Sequence, residues 1–578
     1  MHYTKERNVQ ILISLLKAHG IKRVIASPGT TNMTFVGSIQ NDPYFQIWSS
    51  VDERSAAYLA CGMAAETGEP VVISCTGATA SRNYLSGLTE AYYRKLPILA
   101  VTSHRGEAQI GHLLDQQIDR RVIPNDVAVE KVTLPMIDAP EDERFCIIEA
   151  NKALLALKKN GGGPVHINMY TRYNPDFSVK DLPTVPIINR YTLSDQLPPL
   201  NTGRIGVFIG SHKNFTKQET DILDAFCASN DAVVFCDHTS GYCGKYRVNA
   251  HLVCSQVDYK SPLYQVDLMI HIGEVSASFH PNGQSTWRVS PDGAIRDTFR
   301  NISNVFMMEE FQFFQHYTNI DTPSRDNQLK ACHNEYNQIL SKIPELPFGN
   351  IWIAQHTASR LPINSELHMG IFNSLRSWSF FDLPYGVLGK CNVGGFGIDG
   401  GLSSMIGASL VRPEKLFFGV FGDLAFFYDM NVLGNRHIGN NIRILLINNS
   451  RGTEFRLKRH PCHIFGDAAD PYMAAAGHFG NQSPGLVKNY AESLGFTYLS
   501  ANTKEEYLSN LDMFISDQNY DKPILFEVFT NTSDESEALE TIQKLLIDKT
   551  AVSKKTVAKI AHSLLGTKGI NVIKSIIK

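Results

Sequence analysis

The chain has 578 residues, of which 43% are hydrophobic and 19% charged, and its formal net charge is -3. This composition excludes a disordered chain and gives no overall electrostatic bias toward nucleic acid. The N-terminus lacks the basic start, long apolar run and small-residue cleavage site of a secretion signal, and no run of 18 apolar residues occurs. With ten scattered cysteines and no CxxC pair, the expectation is a cytoplasmic protein with reduced thiols and no transmembrane segment.

An amphipathic helix comes first, with Val9, Leu12, Ile13 and Leu16 on one face. Apolar strands at 23–26, 71–74, 98–101 and 165–168 then alternate with helical stretches at 55–67 and 84–93. Alternation of this kind predicts a parallel sheet covered by helices, closing near residue 175. Residues 176–202 are proline-rich and aperiodic and read as a linker. A second α/β unit at 203–345 has strands at 204–210, 232–235 and 268–273, and a third at 346–533 has strands at 416–421, 442–447 and 524–529. Residues 534–578 read as C-terminal helices, the first opened by Ser533, Asp534 and Glu535, the last lysine-rich over 551–578. The basic end reads as a subunit-packing or solvated element, with docking to an anionic surface as the alternative. The predicted fold class is α/β: three Rossmann-like, doubly wound parallel-sheet domains.

Chemistry concentrates where these strands end. Gly422-Asp423-Leu424-Ala425 follows one strong strand of the third unit, and Asn448-Asn449-Ser450-Arg451 follows the next, with Asp423 and Asn449 26 positions apart. Ligands of open α/β sheets bind at that edge. A carboxylate, an amide oxygen and nearby backbone carbonyls are hard donors suited to Mg²⁺ on a diphosphate. Upstream, Gly394-Gly395-Phe396-Gly397-Ile398-Asp399-Gly400-Gly401 is a glycine-rich loop. In the first unit Asp52-Glu53-Arg54 opens a helix of small residues, where a charge cluster alone reads as a helix start.

Together these words resemble the thiamine-diphosphate (ThDP) decarboxylase and carboligase family, over nearly the whole chain up to about residue 545. The resemblance makes 1–175 a pyrimidine-binding domain, 203–345 a central domain and 346–533 a diphosphate-binding domain. It assigns Glu53 to the aminopyrimidine ring, where a carboxyl drives the imino tautomer that removes the thiazolium C2 proton. It assigns Pro28, Gly29, Thr76, Asn83, Asn373, Ser374, Gly397, Ile398, Gly422, Asp423, Leu424, Ala425 and Asn449 to the cofactor, with Ile398 propping its bent shape. Mg²⁺ falls to Asp423, Asn449 and the Arg451 carbonyl. It implies a homodimer or homotetramer with each site shared between subunits, acting on a small 2-keto acid and a second small-molecule acceptor. A simple decarboxylase releasing an aldehyde and a non-catalytic ThDP-binding scaffold are the alternatives. The central domain reads as structural, Gly206 and Gly210 making no GxGxxG, although some relatives bind FAD or a nucleotide there.

Within the family the closest branch is the menaquinone-pathway one, matched by Ser27-Pro28-Gly29, Asp52 to Ser55, Gln116, Asn373-Ser374, Gly397 to Gly400 and the run GDLAFFYDMNVL. Three of that branch's substrate arginines are absent: Thr30-Thr31, Val393 and Trp378 stand at or near their places. A bidentate guanidinium is poorly replaced by such residues, so a different substrate is expected. His104, Arg105, Gln116 and Phe455 are the substrate candidates, with Arg451, Glu454, Arg456 and His460 beside them, where the branch has glycines and an apolar pair. His437 reads as a surface helix residue. Ala78 and Ala425 are mild departures from Gly and Ser in relatives.

Overall fold

The computed structural model describes residues 2–200, 203–319, 321–477, 483–518 and 520–546. The chain falls into two compact units. The first takes residues up to 195 with 293–297 and 302–305, and the second takes the remainder. The basic stretch 551–578 lies outside the described residues.

In the first unit β1 (Arg23–Ala26), β2 (Gln46–Ser49), β3 (Val71–Thr76), β4 (Ile98–His104), β5 (Glu130–Leu134) and β6 (Val165–Tyr170) form one parallel sheet in the order β2-β1-β3-β4-β6-β5. Side chains alternate across it with the period-two rule. Val24, Val72, Leu99 and Ile167 face the helices Arg7–Ala18 and Pro140–Ala156. Ile25, Val71, Ile73 and Ala100 face Glu53–Thr67 and Leu85–Tyr93. The N-terminal helix buries Val9, Leu12, Ile13 and Leu16 completely, each side chain contributing about 1.5–3 kcal/mol. Strand order reverses between β1 and β3, so the ligand crevice of this sheet lies at their C-terminal ends. The first unit also holds the short strand β7 (Asn189–Tyr191), inside the proline-rich segment, and a small apolar cluster of Ile188, Ile302 and Val305.

In the second unit β8 (Ile205–Ile209), β9 (Val233–Cys236), β10 (Arg247–Asn249), β11 (Gln265–Ile272) and β12 (Asn282–Val289) run parallel in the order β10-β9-β8-β11-β12. After β13 (Ile302–Phe306) comes a further parallel sheet of β14 (Ser365–Met369), β15 (Leu388–Lys390), β16 (Leu416–Gly422), β17 (Ile442–Asn448), β18 (Thr497–Ala501) and β19 (Ile524–Phe529). Its order is β15-β14-β16-β17-β19-β18, which reverses between β14 and β16. The α/β expectation therefore holds, with three parallel sheets. No helix among the described residues is long and apolar enough to cross a membrane. All ten cysteines are free, six of them buried. One expectation fails: His437 is exposed but sits in a turn, not a helix, because Asn435 Oδ1 takes its backbone N–H at 3.0 Å.

Candidate active site

The first unit gathers one set of the sequence-predicted residues at its switch point. The loops leaving β1 and β3 are tied together by Ser27 N donating to Ser74 O at 2.9 Å. Pro28 and Gly29 are exposed at the tip. A Cβ on Gly29 would stand 1.9 Å from Thr76 Cγ2, so the close approach of the two loops requires glycine. Asn32 Nδ2 holds the turn from below through Ser27 O at 3.0 Å.

Glu53 opens the helix Glu53–Thr67, but it is Asp52 that caps it, accepting from Arg54 N at 3.1 Å and Ser55 Oγ at 2.8 Å. The Glu53 carboxylate is thereby left for another task. It is half-buried, and Asn83 Nδ2 donates to its Oε2 at 3.1 Å. Helix capping explains Asp52 and does not explain Glu53.

Past β4, His104 is buried and its Nδ1 accepts from Gly106 N at 2.9 Å. Burial, then the charge of Arg120, brings its pKa down to about 4, so the ring is neutral at physiological pH. Arg105 pairs with Asp115 at 3.2 Å, and Gln116 is exposed with φ +57°. Arg120, absent from the sequence reading, is 4% exposed and donates to Thr102 Oγ1 and Asn168 Oδ1, each at 2.5 Å. It also backs the turn before Ala78: a Cβ on Gly77 would meet Arg120 Nη2 at 2.7 Å. No spacing or periodicity in the sequence marks this arginine.

The second unit gathers another set, at the strand ends of its last sheet. Gly422 pairs with Ile447, so Asp423 and the Asn448-Asn449 pair leave the sheet from neighbouring strands. Asp423 is 2% exposed, and its Oδ1 accepts from Leu424 N at 2.8 Å. Asn448 is turned away, its Nδ2 donating to Glu527 at 2.8 Å and its Oδ1 accepting from Ser450 N at 3.2 Å. Asn449 Oδ1 is buried and has no hydrogen-bond partner among the described residues. Ser450 takes a left-handed φ of +67°, and Gly452 N donates to Ala474 O at 2.6 Å. These turn the loop back onto Leu424, whose Cδ1 would be 3.4 Å from a Cβ on Gly452. Asn373 and Ser374 open a short helix after β14. Phe396, in the glycine loop before Gly397 and Ile398, packs edge-on against Phe372 at 6.0 Å. Asn373, Ile398, Asp423 and Asn449 are thus borne by loops from one sheet edge. Cβ atoms on Gly394, Gly395 and Gly422 would face open space.

This set fits a metal-bound diphosphate. A buried acceptor without a donor costs about 1–3 kcal/mol, and Asn449 Oδ1 is such an atom, on the strand end next to that of buried Asp423. Among the described residues no three His, Cys, Asp or Glu side chains converge on a metal position. A cation here would rest on one carboxylate with amide, carbonyl and ligand oxygens, the donor set of Mg²⁺ rather than Zn²⁺.

Around that edge lie further residues that sequence reasoning passed over or read differently. Arg451 pairs with Asp470 at 2.6 Å, and Asp470 also receives Arg456 at 2.5 Å, so both arginine side chains serve the loop itself. Arg376, three positions after Asn373 and so on the same helical face, pairs with Glu454 at 2.5 Å. Trp378 is buried and donates to Asn350 Oδ1 at 3.1 Å. Glu535, read as a helix-start charge, is 5% exposed and takes the Asn350 N–H at 3.1 Å. Burial pushes its pKa up to about 7. Phe455 packs edge-on against His460 at 5.3 Å.

Residues 7–123 match the family model for the thiamine pyrophosphate enzyme, N-terminal TPP binding domain. The chain is 29% identical over 560 residues to 2-succinyl-5-enolpyruvyl-6-hydroxy-3-cyclohexene-1-carboxylate synthase of Bacteroides thetaiotaomicron, covering 93% of this chain and 98% of that protein. It is 25% identical over 563 residues to the synthase of the same name from Flavobacterium johnsoniae, covering 92% and 97%. A solved Rhodococcus jostii thiamine diphosphate-dependent 4-hydroxybenzoylformate decarboxylase covers 91% of this chain and 99% of its own at 16% identity and a TM-score of 0.40, values too low to bear on fold or site.

Proposed function

We propose that this chain, a thiamine-diphosphate-dependent enzyme related to those synthases, decarboxylates a 2-keto acid and passes the remaining acyl fragment to a second small molecule. Bound thiamine diphosphate supplies the carbon nucleophile and electron sink that cleavage beside a keto-acid carbonyl needs. Everything else falls to the protein. Glu53, held through Oε2 by Asn83, is the proton-sharing partner of the aminopyrimidine, bordered by Pro28, Gly29 and Thr76. Asp423, Asn449 and the Arg451 carbonyl hold Mg²⁺. Gly422, Leu424, Ala425, Asn373 and Ser374 flank the diphosphate, and Gly397 and Ile398 support the ring pair.

The observation that carries this reading is the unpartnered, buried Asn449 Oδ1 at the end of the strand next to the one that buried Asp423 follows. The half-sites lie on separate compact units, in keeping with a homodimer or homotetramer in which Glu53 and Asp423 of one site come from different subunits. Val51, Tyr58 and Leu59, next to Glu53, are exposed apolar side chains of the kind such an interface covers. The free cysteines suit a cytoplasmic location.

The substrate differs from that of the synthases. Of the residues at the lost arginine positions, Val393 and Trp378 are buried apolar side chains, and none of them grips a carboxylate. The test is a titration with ThDP and Mg²⁺ followed by a screen of 2-keto acids for CO₂ release, with and without candidate acceptors. The expected result is cofactor uptake and release from at least one keto acid, accelerated by an acceptor. A protein that takes up no cofactor refutes the reading.

A further inference from the structure

In the second unit a cleft of about 440 Å³ adjoins the diphosphate half-site, with Asn373 in its wall. Its other walls include His251, Phe279, Arg376, Phe380 and Glu454. That volume suits a small molecule; Glu535, His460 and Gln543, whose Oε1 is a further unpartnered acceptor, also line it, and three features shape what the walls ask of it.

The first is the Arg376–Glu454 pair. Its 2.5 Å contact occupies Glu454 Oε1 and neutralises the guanidinium, which also lies over the Phe372 ring at 5.5 Å. Among the described residues Glu454 Oε2 is buried with no hydrogen-bond partner, so the pair offers an acceptor and no net positive charge. The second is His251, 1% exposed. Its Nδ1 accepts from Phe279 N at 3.1 Å, which leaves the ring proton on Nε2. Nε2 is buried and has no partner among the described residues, so it is a donor in need of an acceptor. The third is apolar surface from Phe279 and Phe380, both in ring contact with His251. Arg459 stands exposed at the margin, where water screens it.

A carboxylate satisfies His251 Nε2–H but is repelled by Glu454 Oε2. An ammonium does the reverse. A hydroxyl both donates and accepts, and several on one carbon frame satisfy both walls. We infer that this cleft binds the acceptor and that the acceptor is a neutral polyhydroxylated compound of carbohydrate type, selected by Glu454 and His251. The acceptor role rests on the proposed function; the chemistry of the ligand rests on the cleft alone. Glu454 lies on the same loop as Asn449, so the loop proposed to carry the metal site also sets the specificity.

The test uses the full chain loaded with ThDP and Mg²⁺, titrated by ligand-observed NMR with methyl α-D-glucopyranoside as neutral polyol and succinate as dicarboxylate. Wild type should bind the polyol in preference to succinate. Glu454→Gln should weaken the polyol roughly tenfold to a hundredfold, the worth of a hydrogen bond to a charged group. The same variant should strengthen succinate, because Arg376 loses its internal partner. If Glu454→Gln does not fold, the double variant Arg376→Leu with Glu454→Leu, which replaces the pair by apolar bulk, should bind neither probe. Preference of wild type for succinate, binding of neither probe by wild type, or unchanged affinities in the variants would overturn the assignment. Cofactor uptake is read by near-UV circular dichroism in the same samples. Uptake with the wrong probe preference sinks this inference alone, whereas absent uptake sinks the functional reading.

Discussion

Asn449→Ala separates a residue kept for a ligand from one kept for the fold. A residue kept for the fold loses stability when truncated. Asn449 Oδ1 instead has no partner and is buried, a condition that costs about 1–3 kcal/mol in the ligand-free chain. Alanine removes that cost and gives up only the contacts of a short, half-buried side chain. The ligand-free variant should therefore be at least as stable as wild type. With cofactor the sign reverses. A ligand at a hundred times its Kd adds about 2.7 kcal/mol to the folded state, and the variant, lacking one metal donor, should lose most of that gain. The assay is calorimetric unfolding of both proteins with and without ThDP and Mg²⁺, reading the transition that responds to ligand in wild type. A variant less stable than wild type without ligand, yet stabilised equally by it, would refute the assignment of Asn449 to the metal.

Gly29→Ala places a Cβ 1.9 Å from Thr76 Cγ2, a clash that stiff, β-branched Thr76 cannot rotate away from cheaply. Thermal unfolding should show a loss of about 1–3 kcal/mol, with weaker ThDP binding in the same protein. Asn83→Ala frees Glu53 Oε2 from its donor and should lower CO₂ release about tenfold, more in kcat than in ThDP affinity; unchanged turnover would remove Asn83 from the site. Glu535 has its folded pKa raised by burial from 4.5 to about 7. The folded chain keeps this proton after the unfolded chain has lost it, so stability falls as pH rises from about 4.5 through 7. Glu535→Gln should gain stability over wild type at pH 8 and little at pH 4, and equal gains at both would contradict the sign.

Much of the sheet framework was legible because buried parallel strands read as short apolar runs. The strand expected at 23–26 is β1, that at 524–529 is β19, and those at 71–74 and 442–447 end two residues and one residue early. The strands that escaped notice lack such runs. β2 carries Gln46 and Trp48 largely exposed, and β14 holds Glu366 and His368. β7 is three residues inside a stretch whose prolines read as linker. Of the proposed site, Asp423 and Asn449 are legible because each follows a strong strand at a sheet edge. Arg376 and His251 are not, since their meaning comes from neighbours distant in sequence: Glu454 for one and the Phe279 backbone for the other. Asp52 and Glu53 show the limit in a single turn: adjacent acidic residues at a helix start, of which one caps the helix and the other takes a hydrogen bond from Asn83.

The central claim is that Glu53 activates the cofactor, and exchange of the thiazolium C2 hydrogen for deuterium tests it most directly. Protein with ThDP and Mg²⁺ in D₂O is quenched with acid at short times, and residual C2–H is counted by proton NMR. Wild type should speed exchange far beyond free ThDP, and Glu53→Gln should lose about a hundredfold or more of that acceleration while still binding the cofactor. Exchange no faster than in free ThDP, or equally fast in the variant, would contradict the claim.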